Sequence, residues 1–448
     1  MIIESLSGVR AHDKDMSESF LKAYAAAFVK MTGATRIVVG RDTRKSGEKI
    51  METIIEGIRN AGAKVVNIGI CPTPTVQFAT YYEQAQGGIS ITASHNPLPW
   101  NGLKFINQNG EFLNGEAMKE LQESRKKVEK NLPSGSKEMP EIIISDDAID
   151  HHIADILNYH YINVEQIKAK KFKVVFDAVN GGAYVAGPKL LEELGCDVVK
   201  INCDGKKDFP RTPEPTRENL QELEEAVIKN KADIGFAVDP DGDRLAIVDN
   251  KGKALSEEST LVLAARLMLK RVISVDREIV TNLSTTMALD KVAEEFGGKV
   301  TRTPVGEINV VEKLHVNNGV LGGEGNGGII LPFSKRGRDS LSGMALILFL
   351  LALENKTVTE IMATIPQFVM VKHKVEAKVE NLTDELEKLS EIKEPDEVIT
   401  EDGVKLLFEN SWVHIRKSNT EPIVRVIAEA STKEEAEVLA GKFLNYFK

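Results

Sequence analysis

The 448-residue chain has only three cysteines, Cys71, Cys196 and Cys203, which have neither the number nor the spacing of a disulfide framework or a zinc site. It also lacks an apolar run near the roughly 20 residues that a bilayer span needs. The longest run, Met344 to Leu353, follows Asp339-Ser340, a helix start, and reads as a buried helix. No basic segment precedes a long apolar one at the N-terminus, so no secretory signal and no membrane association are expected, and cytoplasmic residence is the expected location. A formal net charge of −10 provides no dense basic field to replace the counterions of nucleic acid, so no nucleic-acid partner is expected. No P-loop is present, which leaves nucleoside triphosphate chemistry without support. What remains is an ordinary globular enzyme, open to an anionic small substrate wherever arginines gather locally. Its length exceeds what one core serves and predicts two to four domains of about 80 to 150 residues each.

A weak internal repeat is present. Asn60-Ala-Gly62-Ala-Lys-Val-Val66, Glu193-Leu-Gly195-Cys-Asp-Val-Val199 and Glu295-Phe-Gly297-Gly-Lys-Val-Thr301 each place a glycine where a helix would stop, ahead of a β-branched run. Strand-like segments lie upstream at 36–39, 173–176 and 278–281, and further ones downstream at 88–91, 234–238 and 319–321. In α/β sheets ligands gather beyond the carboxyl ends of strands, so the loops that follow, Thr92 to Pro97, Asp239 to Arg244 and Gly322 to Gly328, are all expected to be functional. The last eighty or so residues differ in texture. An alternating run at 372–379, a strand at 423–428, a charged surface helix and loop at 384–397 and an amphipathic helix at 433–447 predict a small α+β domain.

Four loops carry chemistry. Thr92-Ala-Ser94-His95-Asn96-Pro97 offers a hydroxyl nucleophile, which needs a base or a nearby cation to become reactive. His95 could orient Ser94 or a phosphate, and Lys104 is a candidate cation or proton carrier; the same residue types also make a simple capped turn. Asp239-Pro-Asp241-Gly-Asp243-Arg244 can aim three carboxylates one way, a hard oxygen site that suits Mg²⁺. An EF-hand reading fails, because Gly242 falls at the fourth position and Asn250 at the twelfth. Strand-Asp-x-Asp is also the pattern of aspartate-based phosphoryl transfer, which keeps a phosphatase with Asp239 as nucleophile as the alternative. Gly323, Gly325 and Gly328 have the spacing of a dinucleotide fingerprint, but no helix follows them; Glu324 and Asn326 make better sense as partners for sugar hydroxyls, beside the simpler reading as a glycine-rich turn. Arg416, Ser418, Asn419, Thr420 and Arg425 surround one loop with guanidinium, hydroxyl and amide donors that suit a phosphate dianion, where a solvated turn is the alternative.

These residues, together with Gly8-Val-Arg10 and Gly40-Arg41-Asp42-Thr-Arg44, resemble the α-D-phosphohexomutases, the group of phosphoglucomutases, phosphomannomutases and phosphoglucosamine mutases, over essentially the whole chain. The resemblance implies four domains around a central cleft, three homologous mixed α/β domains and a small C-terminal α+β domain. The expected boundaries are 1–148 for the nucleophile domain, 149–252 for the metal domain, 253–368 for the sugar domain and 369–448 for the phosphate domain. It implies that Ser94 carries a phosphate and that Asp239, Asp241 and Asp243 hold Mg²⁺ against it. Arg10 and Lys104 assist phosphoryl and proton transfer, with Arg244 beside the metal loop. The implied reaction passes through a hexose 1,6-bisphosphate, which also serves as activator, in a monomer or homodimer acting on glucosamine, glucose or mannose phosphate.

There are departures from the family pattern. Many relatives carry a serine and a histidine where this chain has Asn326 and Gly328, which removes one candidate acid/base. The Gly-Glu-Gly-Asn-Gly-Gly and Ser-Asn-Thr-Glu-Pro forms look most like archaeal-type phosphoglucosamine mutases, so glucosamine 6-phosphate to glucosamine 1-phosphate is the expected conversion.

Overall fold

The computed structural model describes residues 2–5, 8–135, 138–272, 277–332, 337–375, 382–417 and 423–444. Three of its four sheets repeat one topology. In the first, Arg36–Arg41 lies parallel to both Lys64–Ile70 and Gly87–Ile91, and Trp100–Asn107 returns antiparallel to the latter. In the second, Lys173–Asp177 is flanked in parallel by Asp197–Ile201 and Ile234–Val238, with Leu245–Val248 returning. In the third, Glu278–Asn282 is flanked by Lys299–Thr303 and Leu321–Glu324, with Gly328–Ile330 returning. The first sheet adds Ile2–Ser5 and Gly8–His12 at one edge and Ile142–Ile144 at the other.

The repeat read from the glycines has a backbone cause. Helices Ser46–Asn60, Ala186–Glu193 and Ala288–Glu295 each end one residue before a C-cap that is followed by glycine. Gly62, Gly195 and Gly297 take φ of 95°, 78° and 65°, the left-handed turn that reverses the chain into the next strand. One strand differs from the sequence reading. Gly322-Gly323-Glu324 is not a loop but the end of the third strand, paired with Gly328 to Ile330. A Cβ at residue 323 would lie 2.4 Å from the Gly328 carbonyl, so glycine here serves close backbone approach within a hairpin.

The fourth sheet is antiparallel, in the order Val369–Val375, Val424–Ala430, Ser411–Lys417, Val404–Phe408 and Glu397–Ile399. Val413, Ile415, Val426 and Ala428 face the helix Lys433–Leu444 through Ala436, Ala440 and Phe443. This core is separate. One apolar cluster instead runs through the second and third units, joining Phe176 and Phe236 to Leu267, Ile279, Leu346 and Phe349. The run expected as a buried helix is Ser340–Glu354, whose start is capped by Asp339 accepting from the Leu341 and Ser342 amides. Among the described residues no helix is long and apolar enough to cross a membrane.

Candidate active site

The loops that end the third strands of the repeats converge. Ser94 is buried with φ of 50°, a left-handed conformation that costs a non-glycine residue about 1 kcal/mol or more. Its surroundings hold it there. The Ser94 amide donates to Thr92 Oγ1 at 2.9 Å, and Thr92 donates to Asp42 Oδ2 at 2.7 Å. Arg44, anchored on Asp42 at 2.9 Å, donates Nη2 to the carbonyls of Ser94 at 2.6 Å and Asn96 at 2.8 Å. The result aims Ser94 Oγ at Asp239 Oδ2, 3.0 Å away, with His95 Nδ1 at 3.4 Å. The Arg244 guanidinium, then burial and Arg10, hold the His95 imidazole well below its usual range, so the ring is neutral.

Asp239, Asp241 and Asp243 offer ligand atoms within 4.8 Å of one another, all buried. The loop is fixed from three sides. The Thr73 amide donates to the Asp241 carbonyl at 2.8 Å, that of Gly182 to the Pro240 carbonyl at 2.7 Å, and Ser340 Oγ to the Gly242 carbonyl at 2.6 Å. Each carboxylate has one oxygen tied inside the protein. Asp239 Oδ1 accepts from the amides of Asp243 and Arg244, both at 3.2 Å. Asp241 Oδ2 accepts from Lys104 Nζ at 2.6 Å and Thr73 Oγ1 at 2.8 Å, and Asp243 Oδ2 from Lys104 at 3.1 Å and Arg338 Nη2 at 2.7 Å. Asp241 Oδ1 and Asp243 Oδ1 are buried with no hydrogen-bond partner.

Orphaned carboxylate oxygens in a dry site are costly unless a cation meets them, so the residues fit a hard divalent ion such as Mg²⁺. Burial first, then Asp243 and Asp241, push the Asp239 carboxyl far above the usual carboxylate range, the same unmet demand for positive charge. Burial disfavours the Lys104 ammonium, but Asp241 and Asp243 outweigh it and raise its proton affinity, so Lys104 serves as a fixed cation.

Arg10 donates Nη1 to Asn96 Oδ1 at 2.9 Å and lies in the field of Asp241, Arg244, Asp243 and Arg338. Arg244 pairs with Glu214 at 2.6 Å, and its Nε, which has no hydrogen-bond partner, lies 4.0 Å from Asp243 Oδ1. In the glycine-rich hairpin, Glu324 Oε1 accepts from Asn282 Nδ2 at 2.9 Å, and its Oε2 from Arg338 Nη1 at 3.0 Å and Asn326 Nδ2 at 3.4 Å. The Leu245 amide donates to the Gly327 carbonyl at 3.0 Å, joining this hairpin to the acidic one.

In the fourth domain Arg416 and Arg425 face each other directly across two antiparallel strands, and Arg416 feels the charge of Glu324. Like charges placed opposite one another disfavour the sheet unless negative groups offset them, and Asp402 Oδ2 lies 3.9 Å from Arg416 Nη1. Ser418, Asn419 and Thr420 lie outside the described residues.

Sequence reasoning missed Arg338, Glu307, Glu214 and Thr73, and gave Asp42 and Arg44 no role. The Arg41-Asp42-Thr-Arg44 cluster was a visible signal for the last two. For the others nothing local marks them, since Arg338 and Asp243 are 95 residues apart and Thr73 and Asp241 168 apart.

Comparison with known proteins agrees with this geometry. The chain matches the families described as phosphoglucomutase/phosphomannomutase alpha/beta/alpha domains I, II and III over residues 4–132, 150–252 and 256–368, and the C-terminal domain of the same group over 370–445. A phosphoglucomutase/phosphomannomutase of Thermococcus kodakarensis is 36% identical over 438 residues, covering 96% of this chain and 94% of that protein. A phosphoglucosamine/phosphogalactosamine mutase of Sulfurisphaera tokodaii is 32% identical over 413 residues, covering 91% and 90%. The crystal structure of a phosphoglucomutase/phosphomannomutase family protein from Burkholderia thailandensis superposes with a TM-score of 0.86 at 27% identity, covering 99% of this chain and 96% of that one. With every domain matched in order and relatives aligned nearly end to end, the chain belongs to the phosphoglucomutase/phosphomannomutase family.

Proposed function

We propose that the chain is a phosphohexomutase that moves phosphate between the 6- and 1-positions of a hexose phosphate, through a phosphorylated Ser94 and a 1,6-bisphosphate intermediate. The observation that carries this reading is Ser94 Oγ lying 3.0 Å from Asp239 in a buried tripod whose remaining oxygens are unpaired. Asp239, Asp241 and Asp243 would hold Mg²⁺, which when bound supplies charge stabilisation to the phosphoryl oxygens.

The chain's own residues do the rest. The Arg44 clamp and Thr92 hold Ser94 in its strained turn, so Oγ faces Asp239 before any substrate arrives. The Ser94 hydroxyl donates to Asp239 Oδ2 and has His95 Nδ1 on its other side. Lys104 and Arg10 place fixed positive charge beside the transferring group, where preorganised charge lowers the barrier most. In the forward transfer the Ser94–O–P bond breaks as the substrate's free hydroxyl bonds to phosphorus, and the proton that hydroxyl loses ends on the departing Ser94 Oγ. The reverse step takes the other phosphate back onto Ser94. Because the intermediate must bind in two opposed poses, Arg416 and Arg425 hold whichever phosphate is not reacting, and Glu324 and Asn326 meet the sugar hydroxyls. A hexose 1,6-bisphosphate would restore Ser94 phosphate whenever it is lost.

The favoured conversion is glucosamine 6-phosphate to glucosamine 1-phosphate, supported by the Gly323-Glu-Gly-Asn-Gly-Gly328 loop and the name of the Sulfurisphaera relative. Glucose and mannose phosphates are the second reading, supported by the Thermococcus relative. Catalytic efficiencies for the three 6-phosphates under one set of conditions rank them. After incubation with glucose 1,6-bisphosphate, intact-mass measurement should find one phosphoryl group on the wild type and none on Ser94→Ala, whose turnover should fall at least about a thousandfold. A hydroxylamine-labile phosphate that survives Ser94→Ala would instead identify Asp239 as the nucleophile and overturn the mutase reading.

A further inference from the structure

Arg338 is nine-tenths buried and spends its whole guanidinium on three carboxylates from different segments. Nε donates to Glu307 Oε2 at 2.9 Å, Nη1 to Glu324 Oε2 at 3.0 Å and Nη2 to Asp243 Oδ2 at 2.7 Å, while its amide donates to Glu307 Oε1 at 3.1 Å. Asp243 belongs to the acidic loop, Glu324 ends the sugar strand, and Glu307 opens the helix Glu307–Asn317. A planar fork can hold three such acceptors at fixed angles, which a point charge on a flexible stem cannot.

Two further observations mark the site as built around this side chain. Gly328 has no positive φ that would call for glycine, yet a Cβ there would lie 2.1 Å from Arg338 Cδ and 2.7 Å from Cγ. The missing side chain at residue 328 is thus the space through which Arg338 passes. On the far side, Glu324 has its second oxygen fixed by Asn282, so the carboxylate is held at both ends. Asp243 likewise has Oδ2 committed to Lys104 and Arg338, which leaves Oδ1 as the oxygen turned toward the tripod.

We propose that Arg338 is the positioning residue that makes the sugar-reading carboxylate Glu324 and the metal-side carboxylate Asp243 a single mechanical unit, with Gly328 kept bare to let it through. It follows that a change at one carboxylate is felt at the other only while Arg338 connects them. This rests on the reading that the cleft binds hexose phosphates.

The test uses the full-length protein in EDTA, with glucose 1-phosphate as the probe and calorimetry as the readout, so neither metal nor turnover enters. Arg338→Lys, which keeps the charge, should weaken binding at least about tenfold, an interaction loss of the size expected for one charged hydrogen bond. Asp243→Asn and Glu324→Gln should be non-additive by threefold or more in the wild-type background and additive in Arg338→Lys. A steric arm needs no ligand. Gly328→Ala should lower the melting temperature of the wild type but not that of Arg338→Ala. Wild-type protein that binds neither glucose 1-phosphate nor glucosamine 1-phosphate would sink the functional reading itself. Binding by the wild type that Arg338→Lys matches within twofold, additive carboxylate substitutions, or a harmless Gly328→Ala would overturn the role of Arg338 and leave that reading standing.

Discussion

The second and third sheets are joined by oil, the third and fourth by polar contacts. Helices Glu258–Arg271 and Ser340–Glu354 bury almost every side chain, and their apolar ones lie in one cluster shared by the second and third units. At the fourth domain the connections are hydrogen bonds instead. Lys405 Nζ donates to the Leu283 carbonyl at 2.6 Å, the Met287 amide donates to Glu429 Oε2 at 2.8 Å, His414 Nδ1 meets Ser284 Oγ at 2.9 Å, and Lys372 pairs with Glu257 at 2.8 Å. Polar groups can exchange such partners for water at little net cost, whereas separating an apolar interface exposes its whole area. The acidic loop is therefore carried by the apolar joint of the second and third units, whereas Arg416 and Arg425 sit on the unit held by polar contacts.

The largest expected effect attacks the apolar joint. Phe349→Ala, in the shared cluster, should cost about 3–5 kcal/mol in denaturant unfolding and lower the stability of the second and third units together. Separate transitions for those two units would contradict the picture of one core.

The next effect is a pH dependence at the polar joint. Burial raises the Glu258 carboxyl from 4.5 to about 8, with Glu257 and Glu429 adding to it and Lys372 and the Thr286 amide opposing. A carboxyl that holds its proton more tightly when folded stabilises the native state fully below about pH 4.5, and that contribution is lost as the pH rises through 8. Melts of wild type against Glu258→Gln should therefore show the wild type losing ground between those values, by up to a few kcal/mol. A difference that stays constant across that range would refute the assignment.

The smallest effect is Glu429→Gln, which weakens a charged cap on the Met287 amide by about 1 kcal/mol. Hydrogen exchange should quicken across 283–288 and the Ser411–Lys417 strand, while protection in Glu258–Arg271 stays unchanged. Equal loosening in both regions would erase the contrast between the two joints.

The fold was legible where backbone conformation dictates residue type. Gly62, Gly195 and Gly297 stand where only a left-handed turn can end the helix, so the threefold repeat could be read from three letters. Ser94 and the three aspartates were legible because their side chains share one short loop each. The glycines at 322 and 323 misled, since a bare strand edge and a flexible loop use the same residue. Arg338, Glu307 and Thr73 were invisible for a different reason: their meaning lies in partners that only tertiary folding brings close. The same holds for Glu258, whose carboxyl oxygens would lie 2.0 and 2.3 Å from a Cβ at Gly325.

Trp412, fully buried, donates Nε1 to Glu429 at 2.8 Å, and Lys405 Nζ stands 4.1 Å from its ring centroid. Both neighbours also grip the third domain. The chain has one other tryptophan, Trp100. With Trp100 replaced by phenylalanine, the emission of the remaining indole becomes an intrinsic gauge of any separation of the last domain from the third, readable in a stopped-flow cell without attaching any dye.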